Sequence, residues 1–393
     1  MVGGLGLWLA EADLRRVLCV TGTKGKSTTS SLTGHLLTGL GYRCLVGGNI
    51  GAVPYDPDNV GDFDYWVIEV SSYQATDLPV SPPVVAVASL HPDHLDWHGG
   101  VEQYYRDKLS ACSQPGAELT VANGDSVLLR ERAALLGPRV DWVGEHDDPA
   151  ADWMEPLGLP GRHNRRNALI AGRCLTALGV PGAADAAALR AAAAGYQPLP
   201  SRLTPVGTVG GVTFVDDSLS TNVLPTLAAL DAFPGRRIAL IAGGHDRGID
   251  YAPLATAVVA RDAPTFVLTL PDSGPRIRAQ LEAAAQAAAQ AVAPPPPAPL
   301  SGPPQRYETG NSVRSNVMKP GFQSVEEAAP APPTTAFAGV ADCPDLSAAV
   351  TAGFRWAQPD GIVLLSPAAP SFGVFKDYRD RGEAFKREVR ALP

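Results

Sequence analysis

Short apolar, β-branched runs alternate with helical patterns along the first half of the chain. The segment "VLCVT" (17–21) predicts a buried strand, and a helix is expected from 26 to 40. "YRCLV" (42–46), "YWVIEV" (65–70) and "VVAVASL" (84–90) predict further strands, followed by a helix near 101–111 and a strand near 117–122. Over 161–179, "GRHNRRNALIAGRCLTALG", apolar residues recur at helical spacing after a polar start. Strands and helices that alternate in this way build a parallel sheet covered by helices.

A second unit opens near 198–218, where a Gly-Gly turn separates two strand-like runs. A helix near 223–232, strands at 237–244, 265–270 and 361–366, and a terminal helix suit a doubly wound sheet. The expected division is 1–198 and 199–393. Residues 283–337, with "AAAQAAAQAVAPPPPAPLSGPPQ" and "EEAAPAPPTTA", lack apolar periodicity and are expected to be a mostly disordered insertion on the second unit.

A length of 393 residues fits two or three domains, and 45% hydrophobic residues supply their cores. The net charge of −8 argues against nucleic acid or an anionic membrane as partner. Five cysteines without C-x-x-C spacing point to reduced thiols. With no apolar run of spanning length and no leader pattern, a soluble cytoplasmic protein is expected, and its expected state is a monomer.

The stretch "VTGTKGKSTTSSL" (20–32) carries the clearest chemistry. It fails the pattern G-x-x-x-x-G-K-[ST], since Val20 occupies the first glycine's place. Its physical means survive that failure. Gly22 and Gly25 allow a tight turn with exposed N–H groups, Lys26 can reach phosphates, and a helix start follows. Ser27 or Thr28 offers a hydroxyl to Mg²⁺. Glu69 ends an apolar strand, where an open α/β sheet places its ligand. His91, His94 and His98 alone could suggest zinc, but no fitting fourth ligand accompanies them.

"TGTKGKSTT" (21–29) is similar to the short ATP loop, TGTNGK[ST], of the Mur ligases, amide-forming enzymes of peptidoglycan precursor synthesis. "GGNIG" (47–51), "VIEVSSYQ" (67–74), "DHLDWHG" (93–99), "RDKL" (106–109) and "GRHNRRNAL" (161–169) resemble further segments of that family in order. So do "SRL" (201–203), "FVDDSLSTN" (214–222), "IAGGHDRGIDY" (241–251) and "LLSPAAPSFGVFKDYRDRGEAF" (364–385). The set resembles the glutamate-adding branch and spans nearly all the chain except the insertion.

The resemblance implies an α/β fold: a central P-loop-type ATP-binding domain with a parallel sheet, then a C-terminal Rossmann-like doubly wound domain. It implies ATP and Mg²⁺ as cofactors, and UDP-N-acetylmuramoyl-L-alanine and glutamate as substrates joined through an acyl phosphate. Lys26, Glu69, His94 and Lys108 are the implied catalytic residues. Ser27, Glu69, His94 and Lys108 are the implied metal ligands, the lysine as a carbamate. Gly22, Thr23, Lys24, Gly25, Lys26, Ser27, Thr28, Asn164, Asn167, Arg202 and Asp217 would hold the nucleotide. Asn49, Ser71, Thr221, Arg247, Ser371 and Tyr378 would hold the acceptor and the amino acid.

Two departures bear on the glutamate. Leu219 and Arg247 stand where the D-glutamate-adding members carry lysines, so the carboxylates would be gripped differently. L-glutamate is the expected substrate, with D-glutamate as the alternative. The family also carries a small uridine-nucleotide-binding domain ahead of the ATP loop. About twenty residues precede Thr21, so this chain is expected to bind the UDP-sugar poorly. Two other readings stay open: folylpolyglutamate synthesis, and a cell-wall regulatory protein that binds ATP without turnover.

Overall fold

The computed structural model describes residues 2–59, 61–148, 152–292 and 336–393. Two six-stranded sheets organise the chain. The first contains β1 (Val17–Thr21), β2 (Cys44–Gly48), β3 (Tyr65–Glu69), β4 (Val84–Val87), β5 (Leu119–Asn123) and β6 (Val140–Val143). Their order is β2-β3-β1-β4-β5-β6, every pair parallel. The second contains β7 (Thr204–Val209), β8 (Val212–Asp216), β9 (Ile238–Ala242), β10 (Thr265–Thr269), β11 (Phe337–Asp342) and β12 (Ile362–Leu365). It runs β11-β10-β9-β12-β8-β7, and only the β7–β8 pair is antiparallel. Gly210 and Gly211 join that hairpin, both at positive φ (53° and 85°), as a tight two-residue turn demands.

Each sheet is apolar on both faces because helices cover both. Along β1, Leu18 and Val20 enter one core cluster, while Val17 and Cys19 enter the cluster on the opposite face. Along β12, Ile362 and Leu364 face one side, and Val363 and Leu365 the other. Period-two alternation between two apolar layers is why these strands read as unbroken hydrophobic runs. The five cysteines are free, four of them buried and Cys44 half-buried.

Several expectations shift. The run 84–90 is a strand only to Val87, since 88–90 turn away to meet the phosphate loop. β2 sits two residues later than expected. The helix Gly274–Val292 takes in 283–292, so that part of the supposed insertion is helical. Alanine has the highest helix propensity and needs no apolar stripe to extend a helix already docked. Phe337, at the far end of the supposed insertion, begins β11. Residues 293–335 lie outside the described residues.

Candidate active site

The loop Gly22–Gly25 leaves the carboxyl end of β1, and the helix Lys26–Gly39 follows at once. In the sheet, β1 lies between β3 and β4, where the chain switches from building one side to building the other. A crevice forms at such a point. Gly22 (φ 138°) and Gly25 (φ 85°) make the turn. A Cβ on Gly22 would meet the Ser89 nitrogen at 2.8 Å, and one on Gly25 would meet Asn167 Oδ1 at 2.8 Å. Glycine is required at both on conformation and on space.

Contacts from the segment after β4 fix the loop. Thr23 N donates to the Ser89 carbonyl at 2.9 Å, and Lys24 N donates to Ser89 Oγ at 2.8 Å. Thr23 Oγ1 donates to the His91 carbonyl at 2.9 Å and lies 2.9 Å from the buried Tyr104 hydroxyl. The amides of Lys26, Ser27 and Thr28 open the helix and have no partner within it. Lys26 Nζ donates to the loop's own carbonyls, Gly22 at 2.9 Å and Thr23 at 3.2 Å. Lys24 points outward and pairs with Asp93 at 3.7 Å.

Glu69 ends β3 beside this loop, in register with Val20 on β1 and 2% exposed. Its Oε1 accepts from Asn49 Nδ2 at 2.7 Å, and its Oε2 is buried with no partner. Lys108, on the helix Val101–Leu109, is 3% exposed and donates to the Gly22 carbonyl at 3.2 Å. Burial, reinforced by the Lys26 charge, pulls its amine down to about 7. Lys26 is lowered by burial as well, with Glu69 opposing. Arg202 comes from the second half of the chain and makes no ion pair among the described residues. Burial lowers it, while Tyr378, Glu69, Tyr196 and Asp217 favour its charge. Lys24, Lys26, Lys108 and Arg202 thus converge around the carboxylates of Glu69 and Asp93 in a chain that is acidic overall. A polyanion has a place here.

Asn167 lies against Gly25 and holds Asn164 Oδ1 at 3.5 Å, while Asn164 Nδ2 donates to the Pro160 carbonyl at 2.8 Å. Asn164 opens on a cavity of about 730 Å³ lined by Met154, Leu157, Leu159 and Pro160 and by the charged Asp152, Glu155 and Arg165.

The remaining expected residues are less convergent. His94 holds a left-handed φ of 50°, a costly conformation for a non-glycine residue. Its contacts are Asp93 and the Tyr73 ring, and none of them reaches Glu69 or Lys108. Ser71 caps a short helix: its Oγ accepts from Gln74 N at 3.2 Å, and Gln74 Oε1 accepts from Ser71 N at 3.0 Å. Asp217 faces inward, accepting from Leu203 N at 3.2 Å, Ser366 Oγ at 2.7 Å and Ser220 Oγ, and burial pushes it up to about 7. Thr221 and Ser371 lie in loops of the second sheet, Tyr378 opens the terminal helix, and the Arg247 guanidinium rests 5.3 Å over the Phe372 ring.

Sequence reasoning missed Ser89 and Tyr104, which fix the loop. It also missed a buried chain in which His98 contacts Asp107 through Nδ1 (2.7 Å) and Ser72 through Nε2 (3.0 Å). The four-residue spacing of Tyr104 and Lys108 puts both on one helix face, a signal the sequence did contain. No group of three or more His, Cys, Asp or Glu is arranged to hold a metal ion by itself among the described residues. None of their helices is long and apolar enough to cross a membrane.

A family model described as the Mur ligase middle domain matches residues 20–155. The chain is 38% identical over 403 residues to a UDP-N-acetylmuramoyl-L-alanine–L-glutamate ligase of a Micromonospora species, covering 98% of this chain and 76% of that protein. A protein of the same name from Xanthomonas euvesicatoria is 37% identical, with 98% and 75% covered. Among solved structures, the UDP-N-acetylmuramate–alanine ligase of Thermotoga maritima superposes with TM-score 0.56 at 16% identity, covering 95% of this chain and 75% of that one. The folylpolyglutamate synthase of Mycobacterium tuberculosis, complexed with ADP, superposes with TM-score 0.55 at 13% identity, covering 99% and 94%. At such identities the two structures speak to the fold alone.

Proposed function

The chain belongs to the Mur ligase family, and on that premise we propose that it joins L-glutamate to UDP-N-acetylmuramoyl-L-alanine at the expense of ATP. The observation that carries the reading is the set of four cations around one phosphate loop beside a carboxylate oxygen with no partner. A triphosphate answers the cations, and a divalent ion answers Glu69. Magnesium is ordinarily held by one or two carboxylates plus substrate phosphates, without a closed protein cage. Glu69 Oε2 and the Ser27 hydroxyl fit that demand, and a carbamate on Lys108 would add a second carboxylate. Such an ion supplies charge neutralisation on the phosphate oxygens.

The chain's own residues supply the rest. The amides of Lys26, Ser27 and Thr28 face the phosphates along the helix axis. Lys26 Nζ exchanges the Gly22 and Thr23 carbonyls for phosphate oxygens, and Arg202 closes from the second unit. The cavity beside Asn164 offers a purine base apolar side chains (Met154, Leu157, Leu159) together with polar ones (Glu155, Arg165). The acceptor's alanine carboxylate attacks the γ-phosphorus, ADP departs, and an acyl phosphate remains. The amine of glutamate then attacks the activated carbonyl and phosphate leaves. Closure of the two units around Arg202 keeps water from that carbonyl. Both nucleotide substrates are cytoplasmic, so we assign the reaction to the cytoplasm.

The names of the relatives and the residues Leu219 and Arg247 favour L-glutamate over D-glutamate. The test is phosphate release with each enantiomer in the presence of ATP and the acceptor. Release that requires the acceptor and L-glutamate is the expected result. Preference for D-glutamate would reverse the choice of enantiomer. ATP binding without release under any combination would favour a regulatory binding protein.

A further inference from the structure

Arg381 is the largest fully buried side chain of the second unit, 1% exposed, and the reaction as proposed gives it no task. It lies in the helix Tyr378–Arg390, three residues after Tyr378 and on the same face. Its Nη2 donates to two backbone carbonyls at once: Ser218 at 2.8 Å, in the loop after β8, and Ala369 at 3.0 Å, in the loop after β12. Its Nη1 backs onto the loop after β9. A Cβ on Gly244 there would sit 3.0 Å from Nη1 and 2.3 Å from the Pro370 carbonyl. The same two loops are laced together by Gly243 N to the Pro367 carbonyl (2.7 Å) and His245 N to the Pro370 carbonyl (2.9 Å). Gly382 lets the helix approach this closely, since a Cβ there would fall 2.7 Å from Asp216 Oδ2.

The guanidinium is not half of an ion pair. Asp216 is taken by Ser218 (backbone N 3.0 Å, Oγ 2.6 Å) and by Ser201 Oγ (3.0 Å), and Asp217 by Ser220, Ser366 and Leu203. Arginine Nε and Nη1 are buried with no acceptor at all. Burial draws the group down to about 10, against the pull of both aspartates, so it remains a cation at neutral pH. Idle buried donors cost stability, and an aliphatic side chain would fill the same space without them. What such a side chain would not do is hold carbonyls from two loops in one plane, which the rigid fork of arginine does.

We propose that Arg381 is the positioning residue of the amino-acid pocket, fixing the loops after β8, β9 and β12 so that Thr221, Arg247 and Ser371 keep their mutual spacing. This rests on the reading of that loop edge as the glutamate site. Arg381 acts through those loops and does not touch substrate. Displacing a binding group by about 1 Å costs affinity or rate by one to two orders of magnitude, so the effect is measurable.

The experiment compares the parent chain with Arg381→Gln and Arg381→Lys by amide hydrogen exchange and by steady-state kinetics. Exchange in 217–222, 243–248 and 367–374 is expected to quicken together, about tenfold or more, while the phosphate loop is unchanged. The KM for glutamate is expected to rise about tenfold or more in Arg381→Gln, less in Arg381→Lys, with nucleotide affinity unchanged. Exchange that does not change, or changes in one loop only, overturns the proposal. Loosened loops with an unchanged KM for glutamate overturn its link to the pocket. If Arg381→Gln does not fold, Arg381→Lys decides by the same readouts, because an ammonium keeps the charge but not the fork. A parent chain that releases no phosphate with glutamate would defeat the ligase reading, while the exchange data would still judge the three-loop hub.

Discussion

Lys108 Nζ donates to the Gly22 carbonyl from a position 3% exposed, and burial brings its pKa from 10.5 to about 7. Between those values the folded chain binds less proton than the unfolded one, so stability rises with pH from about 7 to about 10. Denaturant unfolding across that window should show the rise in the parent and a flatter profile in Lys108→Met. The same neutral amine is what carbon dioxide would need to form a carbamate. Lys108→Ala should therefore lose activity that short carboxylates partly restore, and a fully active Lys108→Ala would remove the carbamate from the account. Lys26→Met should lower turnover by about a hundred- to a thousandfold, the usual cost of one charge-stabilising donor. Its fold should be retained, because Lys26 Nζ bonds only to the loop's own carbonyls and the loop is anchored independently through Ser89 and Tyr104. At this scale the sequence located Lys26, Glu69, Lys108 and Arg202 together. It did not disclose what fixes the loop, since Ser89 and Tyr104 meet Thr23 from more than sixty residues away. Ser71 and Asp217 show the converse, motif residues whose side chains the fold occupies with caps and hydroxyls.

The loop and the helix behind it form one element whose geometry depends on Gly25. Alanine there meets both a φ of 85° and the Asn167 amide at 2.8 Å. Gly25→Ala should cost more than about 1 kcal/mol in unfolding free energy, which is the expected penalty for alanine at positive φ. Nucleotide affinity should fall with it, as titration calorimetry would show. The central strands were legible because they are buried on both faces, and short, β-branched apolar runs such as "VLCVT" and "GIVLLS" are what such strands require. Of the four edge strands, β2 and β7 were anticipated, β2 two residues early, while β6 and β11 were not legible. β6 is four residues long, and β11 ("FAGVAD") mixes glycine and alanine beside a proline-rich tract, so neither stands out by composition. The helices Ala252–Val259 and Leu346–Ala357 were also missed, because β-branched valine and threonine among their alanines blur the helical preference that alanine alone would give.

Across the whole molecule, the carboxyl ends of the first sheet carry the phosphate loop and Glu69, and the second half of the chain contributes Arg202 to the same field of charge. An unpaired, half-buried cation adds little to stability, because its desolvation is not repaid by a partner. Arg202→Gln should leave the melting temperature unchanged or slightly raised while turnover falls about tenfold or more. A structural arginine would give the opposite pattern, with lower melting temperature and near-normal turnover. The central claim is that the acceptor's carboxylate itself attacks the γ-phosphorus of ATP. The most direct measurement uses acceptor labelled with heavy oxygen in its alanine carboxylate, followed by mass analysis of the phosphate released in the presence of L-glutamate. The account predicts one labelled oxygen transferred to each phosphate. Phosphate free of label, formed at the same rate, would contradict it.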